Sequence, residues 1–217
     1  MNILFAGSSK SSSRILEFLC KEKSLKIKGV LTQPDKRRKR GPELFESEVS
    51  KTANRFNLKI FKPNNLNDKD FEKEITNLQI DLIIVIAYGR IIPNWMLSLP
   101  RIMSLNVHFS ILPKYRGASP IQSSLINGDT ETGVSFMQMT EGLDEGDLIL
   151  TASMLINEED NKISLETKLT DLAIKNLLSV LTQLENKSTS ITKQDNSEAT
   201  YCKKINSEDS ITDFNDY

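Results

Sequence analysis

Three polar residues in the middle of the chain have side chains suited to acyl-transfer chemistry. Asn106 and the only histidine, His108, lie two positions apart in an alternating apolar run, so in a strand they project to the same face. Further on, the acidic, glycine-punctuated loop GLDEGD carries Asp144, which could reach the imidazole and orient its tautomer. An amide donor, an imidazole and a carboxylate can together stabilise a developing oxyanion and move one proton.

The same residues also fit a purely structural role. A lone histidine beside apolar residues is commonly a core or strand-end residue. Asn can end a strand and Asp can close a turn. Residue spacing alone therefore leaves both interpretations open.

The surrounding sequence resembles the formyltransferase family that uses 10-formyltetrahydrofolate. The run SLNVHFSILPKYRGASPIQ, followed by TGVSFMQMTEGLDEGD, contains Asn-x-His, Ser-x-Leu-Pro-x-Tyr-Arg-Gly and Gly-Leu-Asp-x-Gly-Asp. Asn-x-His with a later Asp is common to the family, so the resemblance implies Asn106, His108 and Asp144 as catalytic residues of formyl transfer to an amine. Pro120-Ile121-Gln122 and Met137-Gln138-Met139 are similar to the branch of the family whose acceptor is initiator methionyl-tRNA.

The resemblance also implies where the folate co-substrate would bind. The segment AYG-x-x-x-P, which follows a strongly apolar strand, contacts the pterin in the family, at the carboxyl end of a central strand where doubly wound sheets bind ligands. The residues expected at the folate site are Tyr88, Gly89, Arg90, Ile91, Ser110, Ile111, Leu112, Pro113, Gln138 and Met139. No metal is expected, because one histidine and two scattered cysteines, Cys20 and Cys202, do not have the spacing of metal ligands.

Five consecutive cations predict a contact with tRNA. They are Lys36, Arg37, Arg38, Lys39 and Arg40, and they fall where the family has an insertion loop that enters the acceptor-stem region. Arg40-Gly41 matches the Arg-Gly pair of that loop, although here the cations precede the pair. Clustered Lys and Arg release counterions from a nucleic-acid backbone, but such runs also occur in loops that are simply solvated.

Two other functions stay open. The same chemistry could act on a small amine such as an amino sugar, or the chain could be a folate-binding or tRNA-binding module without catalysis. Ser8-Ser9-Lys10 departs from the Thr-Pro-Asp/Glu of the family, although Gly7 before it is kept.

The elements that must position these residues are typical of an α/β fold. Asn2–Ala6 predicts a buried strand, a helix follows from about Ser13 to Cys20, and Lys26–Thr32 predicts a second strand. A single glycine in the first turn does not make the dinucleotide fingerprint, which disfavours NAD. Further helices are predicted at Glu43–Phe56, Asn67–Leu78, Pro120–Asn127 and Ser164–Leu184, and further strands at Leu58–Phe61, Asp81–Ala87, Thr132–Met139 and Leu148–Ile156, besides the strand that bears Asn106 and His108. We predict a doubly wound, Rossmann-like, mostly parallel sheet with helices on both faces.

Length and composition fit one catalytic domain. With 217 residues, 38% of them hydrophobic and 26% charged, the chain can bury an ordinary core. We predict a formyltransferase catalytic domain over residues 1–186 and a polar, linker-like extended segment over residues 187–217, without the C-terminal β-barrel of the family. The net charge of -1 means that any nucleic-acid contact must be local.

The remaining features indicate a soluble protein. The two cysteines are far apart in sequence and indicate free thiols in a reducing compartment. The start MNILFAG is typical of a strand and not of a signal peptide, and no apolar run approaches the ~20 residues of a membrane helix. We expect a cytoplasmic monomer.

Overall fold

The computed structural model describes residues 1–37 and 44–205. Its strands are β1 (Asn2–Gly7), β2 (Lys26–Leu31), β3 (Lys36–Arg37), β4 (Leu44–Phe45), β5 (Ile60–Phe61), β6 (Leu82–Ile86), β7 (Met103–His108), β8 (Arg116–Gly117), β9 (Glu131–Gln138), β10 (Leu148–Leu155) and β11 (Tyr201–Cys202). Its helices are α1 (Lys10–Lys21), α2 (Glu48–Arg55), α3 (Lys69–Thr76), α4 (Asn94–Leu97), α5 (Pro120–Ile126) and α6 (Lys162–Glu185).

Seven strands form one sheet in the order β10-β9-β7-β6-β1-β2-β5. The five strands from β7 to β5 are parallel, while β9 and β10 run antiparallel at the other edge. The predicted mostly parallel sheet is therefore confirmed. β6 has the sequence LIIVI and is buried along its whole length, as expected for a central strand covered on both faces.

Helices cover both faces and divide the core in two. On one face, α1, α2, α5 and α6 pack on residues such as Phe5, Ile84 and Phe136. On the other face, α3 and α4 pack on residues such as Leu4 and Ile83. Alternate residues of each strand point to opposite faces, so both sets of apolar residues are needed to bury the sheet.

The prediction of a helix over Glu43–Phe56 was wrong in its first part. The helix begins at Glu48, because Ser47 is its N-cap and accepts a hydrogen bond from the backbone N–H of Ser50 at 3.0 Å. The backbone of β4, just before the cap, pairs antiparallel with β3. The strand predicted at Leu58–Phe61 retains only Ile60–Phe61, and the other predicted elements are present with ends that differ by a few residues.

The polar segment after α6 returns to the sheet. Thr192 exchanges backbone hydrogen bonds of 2.8 and 2.9 Å with Leu148 at the start of β10. Beyond a 3₁₀ turn at Asn196–Glu198, β11 pairs parallel with β8. The assignment of this segment as a separate linker stays a prediction, and residues 206–217 lie outside the described residues. No helix in the described parts of the chain is both long and apolar enough to span a membrane.

Candidate active site

Strand β7 carries three polar side chains on the face that α4 covers. Ser104, Asn106 and His108 occupy alternate positions of the strand and are buried, so they share one face. The hydroxyl of Ser104 donates to the carbonyl of Leu97 at 3.0 Å, which fixes the end of α4 over the start of β7. Beyond Ser104, Asn106 contacts Asp144 and His108 contacts the backbone of Tyr115.

The loop between β9 and β10 brings Asp144 onto this face. Its Oδ1 accepts from Asn106 Nδ2 at 3.2 Å, and its Oδ2 accepts from the backbone N–H of Gly117 at 2.9 Å. Asp144 adopts the left-handed conformation, with φ +49°, which Asp tolerates better than most residues. Asp144 was expected to reach His108, and the structure brings it into hydrogen-bond contact with Asn106 instead.

His108 is held by a backbone group that the sequence did not indicate. Its Nε2 lies 2.9 Å from the carbonyl oxygen of Tyr115, and because a carbonyl only accepts, Nε2 carries the hydrogen. In the neutral imidazole the lone pair is therefore on Nδ1, which lies 3.7 Å from Asp144 Oδ2. This distance is too long for a hydrogen bond, so Asp144 acts on His108 through its charge.

The loop after β7 positions both backbone groups. Ser135 Oγ donates to the carbonyl of Ser110 at 2.8 Å and accepts from the N–H of Leu112 at 3.0 Å, which ties the loop to β9. At the other end of the loop, Gly117 has φ +122°, and an added Cβ would lie 2.2 Å from the carbonyl oxygen of Cys202. Glycine is therefore required where the N–H points at Asp144.

A cavity of about 430 Å³, within the range of small-molecule sites, lies beside the start of β7, and its lining includes Ser104 but not Asn106, His108 or Asp144. It lies along the face of β7 that bears Ser104, under the start of the Asp144 loop. Its lining combines amide, hydroxyl and carboxyl groups with apolar side chains; it includes Asn94, Leu97, Ser104, Gln138, Met139 and Glu141. Gln138 and Met139, which the resemblance assigns to folate, are thus at the cavity.

The segment 88–91 does not line this cavity, and its four residues have different environments. Tyr88 is buried in the core under α3 and α4, and burial raises the pKa of its hydroxyl. Gly89 has φ +75°. The guanidinium of Arg90 donates to the carbonyls of Pro63 and Asn64, while Ile91 is 91% exposed. Only Ile91 of these four presents a free side chain to a ligand.

The other predicted folate residues, Ser110 to Pro113, lie beyond the far end of β7. The Ser110 hydroxyl donates to the carbonyl of Lys114 at 2.6 Å, and Leu112 is buried. Ile111 is half-buried, and the carbonyl of Pro113 accepts from the N–H of Thr200 at 3.2 Å. The cavity lining includes none of these four residues. They shape the loop around His108.

Sequence reasoning missed two side chains beside the site, Arg116 and Gln194. Arg116 is fully buried and donates to Gln194, which in turn contacts the Asp144 loop. Arg116 is the arginine of the motif Ser-x-Leu-Pro-x-Tyr-Arg-Gly, which was the signal that could have found it, whereas the polar neighbourhood of Gln194 is typical of a surface segment. A cluster of acidic, histidine and cysteine side chains that could hold a metal is absent from residues 1–37 and 44–205.

The structure describes only the first two residues of the basic run. Lys36 and Arg37 form β3, and the backbone of β3 pairs with β4. Arg38, Lys39 and Arg40 lie outside the described residues.

Comparisons with known proteins show which family the chain belongs to. A sequence profile described as formyl transferase matches residues 1–181. The methionyl-tRNA formyltransferase of Buchnera aphidicola subsp. Baizongia pistaciae is 40% identical over 209 residues, which cover 96% of this chain and 64% of that protein. The protein of the same name from Pseudoalteromonas translucida is 40% identical over 214 residues, or 99% of this chain and 66% of that protein. The chain thus spans about two thirds of the length of these curated relatives.

Solved structures show the same fold at lower identity. A phosphoribosylglycinamide formyltransferase from Anaplasma phagocytophilum superimposes with a TM-score of 0.73 at 17% identity, covering 94% of this chain and 99% of that chain. WlaRD, a sugar 3N-formyl transferase crystallised with dTDP and 5-N-formyl-THF, gives a TM-score of 0.70 at 20% identity, covering 95% and 71%. Sequence profile, curated relatives and fold agree: the chain belongs to the formyl transferase family.

Proposed function

We propose that this chain transfers a formyl group from 10-formyltetrahydrofolate to the free amino group of initiator methionyl-tRNA. The observation that carries the proposal is the convergence of Asn106, His108 and Asp144 at the carboxyl end of β7. The names of the relatives that match most of the chain support the acceptor. We expect the protein to act as a cytoplasmic monomer.

Asn106 is the proposed oxyanion donor. Its amide nitrogen has two hydrogens, and one is directed to Asp144 Oδ1 at 3.2 Å, so the second is available to a substrate oxygen. When the acceptor amine attacks the formyl carbon, the carbonyl oxygen gains negative charge. A preorganised amide donor in a buried site stabilises that charge without reorganisation of solvent.

His108 provides the second polar contact through Nδ1. Nε2 already donates to the Tyr115 carbonyl, which leaves Nδ1 as the ring atom that can exchange a proton or donate to the oxyanion. Protonated, the ring makes a charge-assisted bond that is stronger than a neutral one.

Asp144 supplies the countercharge and a proton path. The incoming amine loses one proton as the new C–N bond forms, and N10 of the folate gains one proton as the old C–N bond breaks. Asp144 lies beside both His108 Nδ1 and Asn106 Nδ2, so it can relay the proton between the two reacting nitrogens, directly or through water.

The folate site is proposed at the cavity beside the start of β7. The co-substrate would supply an activated formyl carbon that must reach Asn106. Gln138, Met139 and the side chain of Ile91 would contact its ring system, because the first two line the cavity and the third is 91% exposed. Tyr88, Gly89 and Arg90 would hold the segment that carries Ile91, and Ser110 to Pro113 would hold the loop around His108.

The proposed tRNA contact is the basic run Lys36 to Arg40. Its five cations are consecutive in the sequence, so they are suited to a phosphate backbone. Their number predicts a strong dependence of tRNA binding on salt.

The test is formyl transfer to three acceptors at two salt concentrations. Initiator methionyl-tRNA, methionine methyl ester and a nucleotide-linked amino sugar are incubated with the protein and 10-formyltetrahydrofolate at about 50 and about 200 mM salt. We expect transfer to methionyl-tRNA, with kcat/KM that falls at least tenfold at the higher salt. Transfer to a small amine at a rate that does not depend on salt would favour the small-amine function. Folate binding without transfer to any amine would favour a binding module.

A further inference from the structure

Arg116 is a buried cation with neutral partners. Its side chain is 1% exposed. Nε and Nη2 donate to Gln194 Oε1 at 3.0 and 2.8 Å, and Nη2 also donates to Asn196 Oδ1 at 2.8 Å. In the part of the chain that the structure describes, no carboxylate forms an ion pair with it. A buried cation is costly to desolvate, and here it is compensated by the two amide oxygens and by Tyr201, whose hydroxyl lies 3.4 Å from Nη1 and whose ring centroid lies 6.0 Å from Cζ.

The amide of Gln194 connects this cation to the Asp144 loop. Its Nε2 donates to the carbonyl of Asp144 at 2.9 Å and to the carbonyl of Gly146 at 2.6 Å. Because arginine only donates and carbonyls only accept, the orientation of the amide is determined. The cation at Oε1 polarises the amide and strengthens both bonds made by Nε2.

Asp144 is therefore held from two directions by neighbouring residues of β8. Arg116 acts on its backbone through Gln194, and the N–H of Gly117 binds its carboxylate at 2.9 Å. The backbone of Asp144 is in the left-handed region, at φ +49°, where a non-glycine residue requires support from its surroundings. Small changes in this backbone would alter the 3.7 Å separation between Asp144 and His108 Nδ1.

We propose that Gln194 is a positioning residue for Asp144: its amide transmits the charge of buried Arg116 to the loop carbonyls and so sets the carboxylate against His108. The proposal rests on the proposed function for its kinetic consequences only. Gln194 lies beyond the 1–181 range of the family profile, in the polar segment that returns to the sheet.

The kinetic test uses Gln194→Met, which keeps the length of the side chain and removes the amide. We expect kcat for the acceptor to fall tenfold to a hundredfold, because small misplacements of a reacting group have effects of this size, with KM within about twofold. Asn196→Ala is the matched control, since Asn196 contacts Arg116 but not the loop, and its kcat should stay within about twofold. In an Asp144→Asn background, Gln194→Met should lower kcat by less than about twofold further. Equal losses with and without Asp144, or no loss at all, would overturn the proposal.

A second readout does not require activity. His108 is the only histidine, so an untagged, ¹⁵N-labelled protein gives one pair of imidazole nitrogen signals. Gln194→Met should move the Nδ1 signal in the same direction as Asp144→Asn, while Asn196→Ala should leave it at the wild-type position. An unchanged Nδ1 signal in Gln194→Met overturns the positioning role, even if the wild-type protein transfers formyl to no acceptor and the proposed function fails.

If Gln194→Met folds poorly, a second variant tests the same proposal. Gln194→Glu keeps an oxygen for Arg116 but places the other oxygen against the carbonyls of Asp144 and Gly146. We expect it to fold, as judged by circular dichroism, and to show the same loss of kcat and the same Nδ1 change. Wild-type values for this variant would also overturn the proposal.

Discussion

At the scale of single residues, the environment of Asp144 determines what His108 can do. Nε2 of His108 is occupied by the Tyr115 carbonyl at 2.9 Å, and only Nδ1 faces the carboxylate. The same carboxylate accepts from Asn106 and Gly117. The Asp144 carboxylate therefore acts on the two other proposed catalytic side chains, on Asn106 through a hydrogen bond and on His108 through its charge.

Asp144→Asn is predicted to lower turnover by about a hundredfold, because the carboxylate that accepts the proton is removed, a loss comparable to that of one oxyanion donor. The measurement is kcat with the acceptor that proves active. Glu145→Gln is the control: it removes one charge from the next, exposed position of the same loop and should keep at least half of the wild-type kcat. Wild-type turnover in Asp144→Asn would remove the carboxylate from the mechanism.

The raised pKa of the Cys20 thiol predicts that the protein loses stability at alkaline pH. Burial raises the pKa of its thiol from 9.0 to about 11, and the charge of Glu17 adds to this effect. The folded state keeps the proton at pH values where the unfolded chain has lost it, so the free energy of unfolding falls as pH rises from about 9 to about 11. Urea unfolding at pH 8 and pH 10.5 should show a smaller decrease for Cys20→Ala than for the wild type. Equal decreases would contradict the assigned pKa.

At the scale of elements, the pairing of β8 with β11 builds the back of the site. This short parallel pair places the Gly117 N–H at Asp144 and the Tyr115 carbonyl at His108, and the Cys202 thiol donates to that same carbonyl at 3.3 Å. The start of α2 shows that apolar periodicity can give a wrong helix boundary. Apolar residues before Ser47 continued the helical periodicity, but the Ser47 cap sets the first turn at Glu48.

Gly117→Ala is predicted to destabilise the protein much more than Gly128→Ala. Both glycines have positive φ, +122° and +67°, but an added Cβ at Gly117 would lie 2.2 Å from the Cys202 carbonyl, whereas nothing lies within 4 Å at Gly128. We expect a cost of about 1 kcal/mol at Gly128 from backbone strain alone, and at least ~2 kcal/mol more at Gly117, since backbone must move. Urea unfolding of both variants measures the difference. Equal costs would mean that β8 and β11 separate easily.

At the scale of the whole molecule, two apolar layers hold the sheet, and the larger one depends on α6. Leu169, Ala173 and Leu177 are completely buried on the face shared with α1. The smaller layer lies under α3 and α4 and includes Leu4, Ile83 and Met96.

Leu177→Ala is predicted to lower the free energy of unfolding by about 3 kcal/mol, because it leaves a cavity in a closely packed layer. Leu155→Ala, at a position 70% exposed on β10, should change it by less than ~0.5 kcal/mol. Equilibrium urea unfolding measures both. A small effect of Leu177→Ala would mean that α6 can shift to fill the space.

The amino-acid sequence by itself determined the order of strands and helices, the mostly parallel sheet and the shared face of Asn106 and His108. These follow from apolar periodicity and from the two-residue period of a strand, which are local properties. Only the tertiary structure decided that Asp144 reaches both residues, that a backbone carbonyl takes Nε2 of His108, and that Gln194 and Arg116 lie behind the loop. These contacts join backbone groups and side chains that are distant in sequence, and a group's hydrogen-bonding partner across the fold has no signature in the residues next to it.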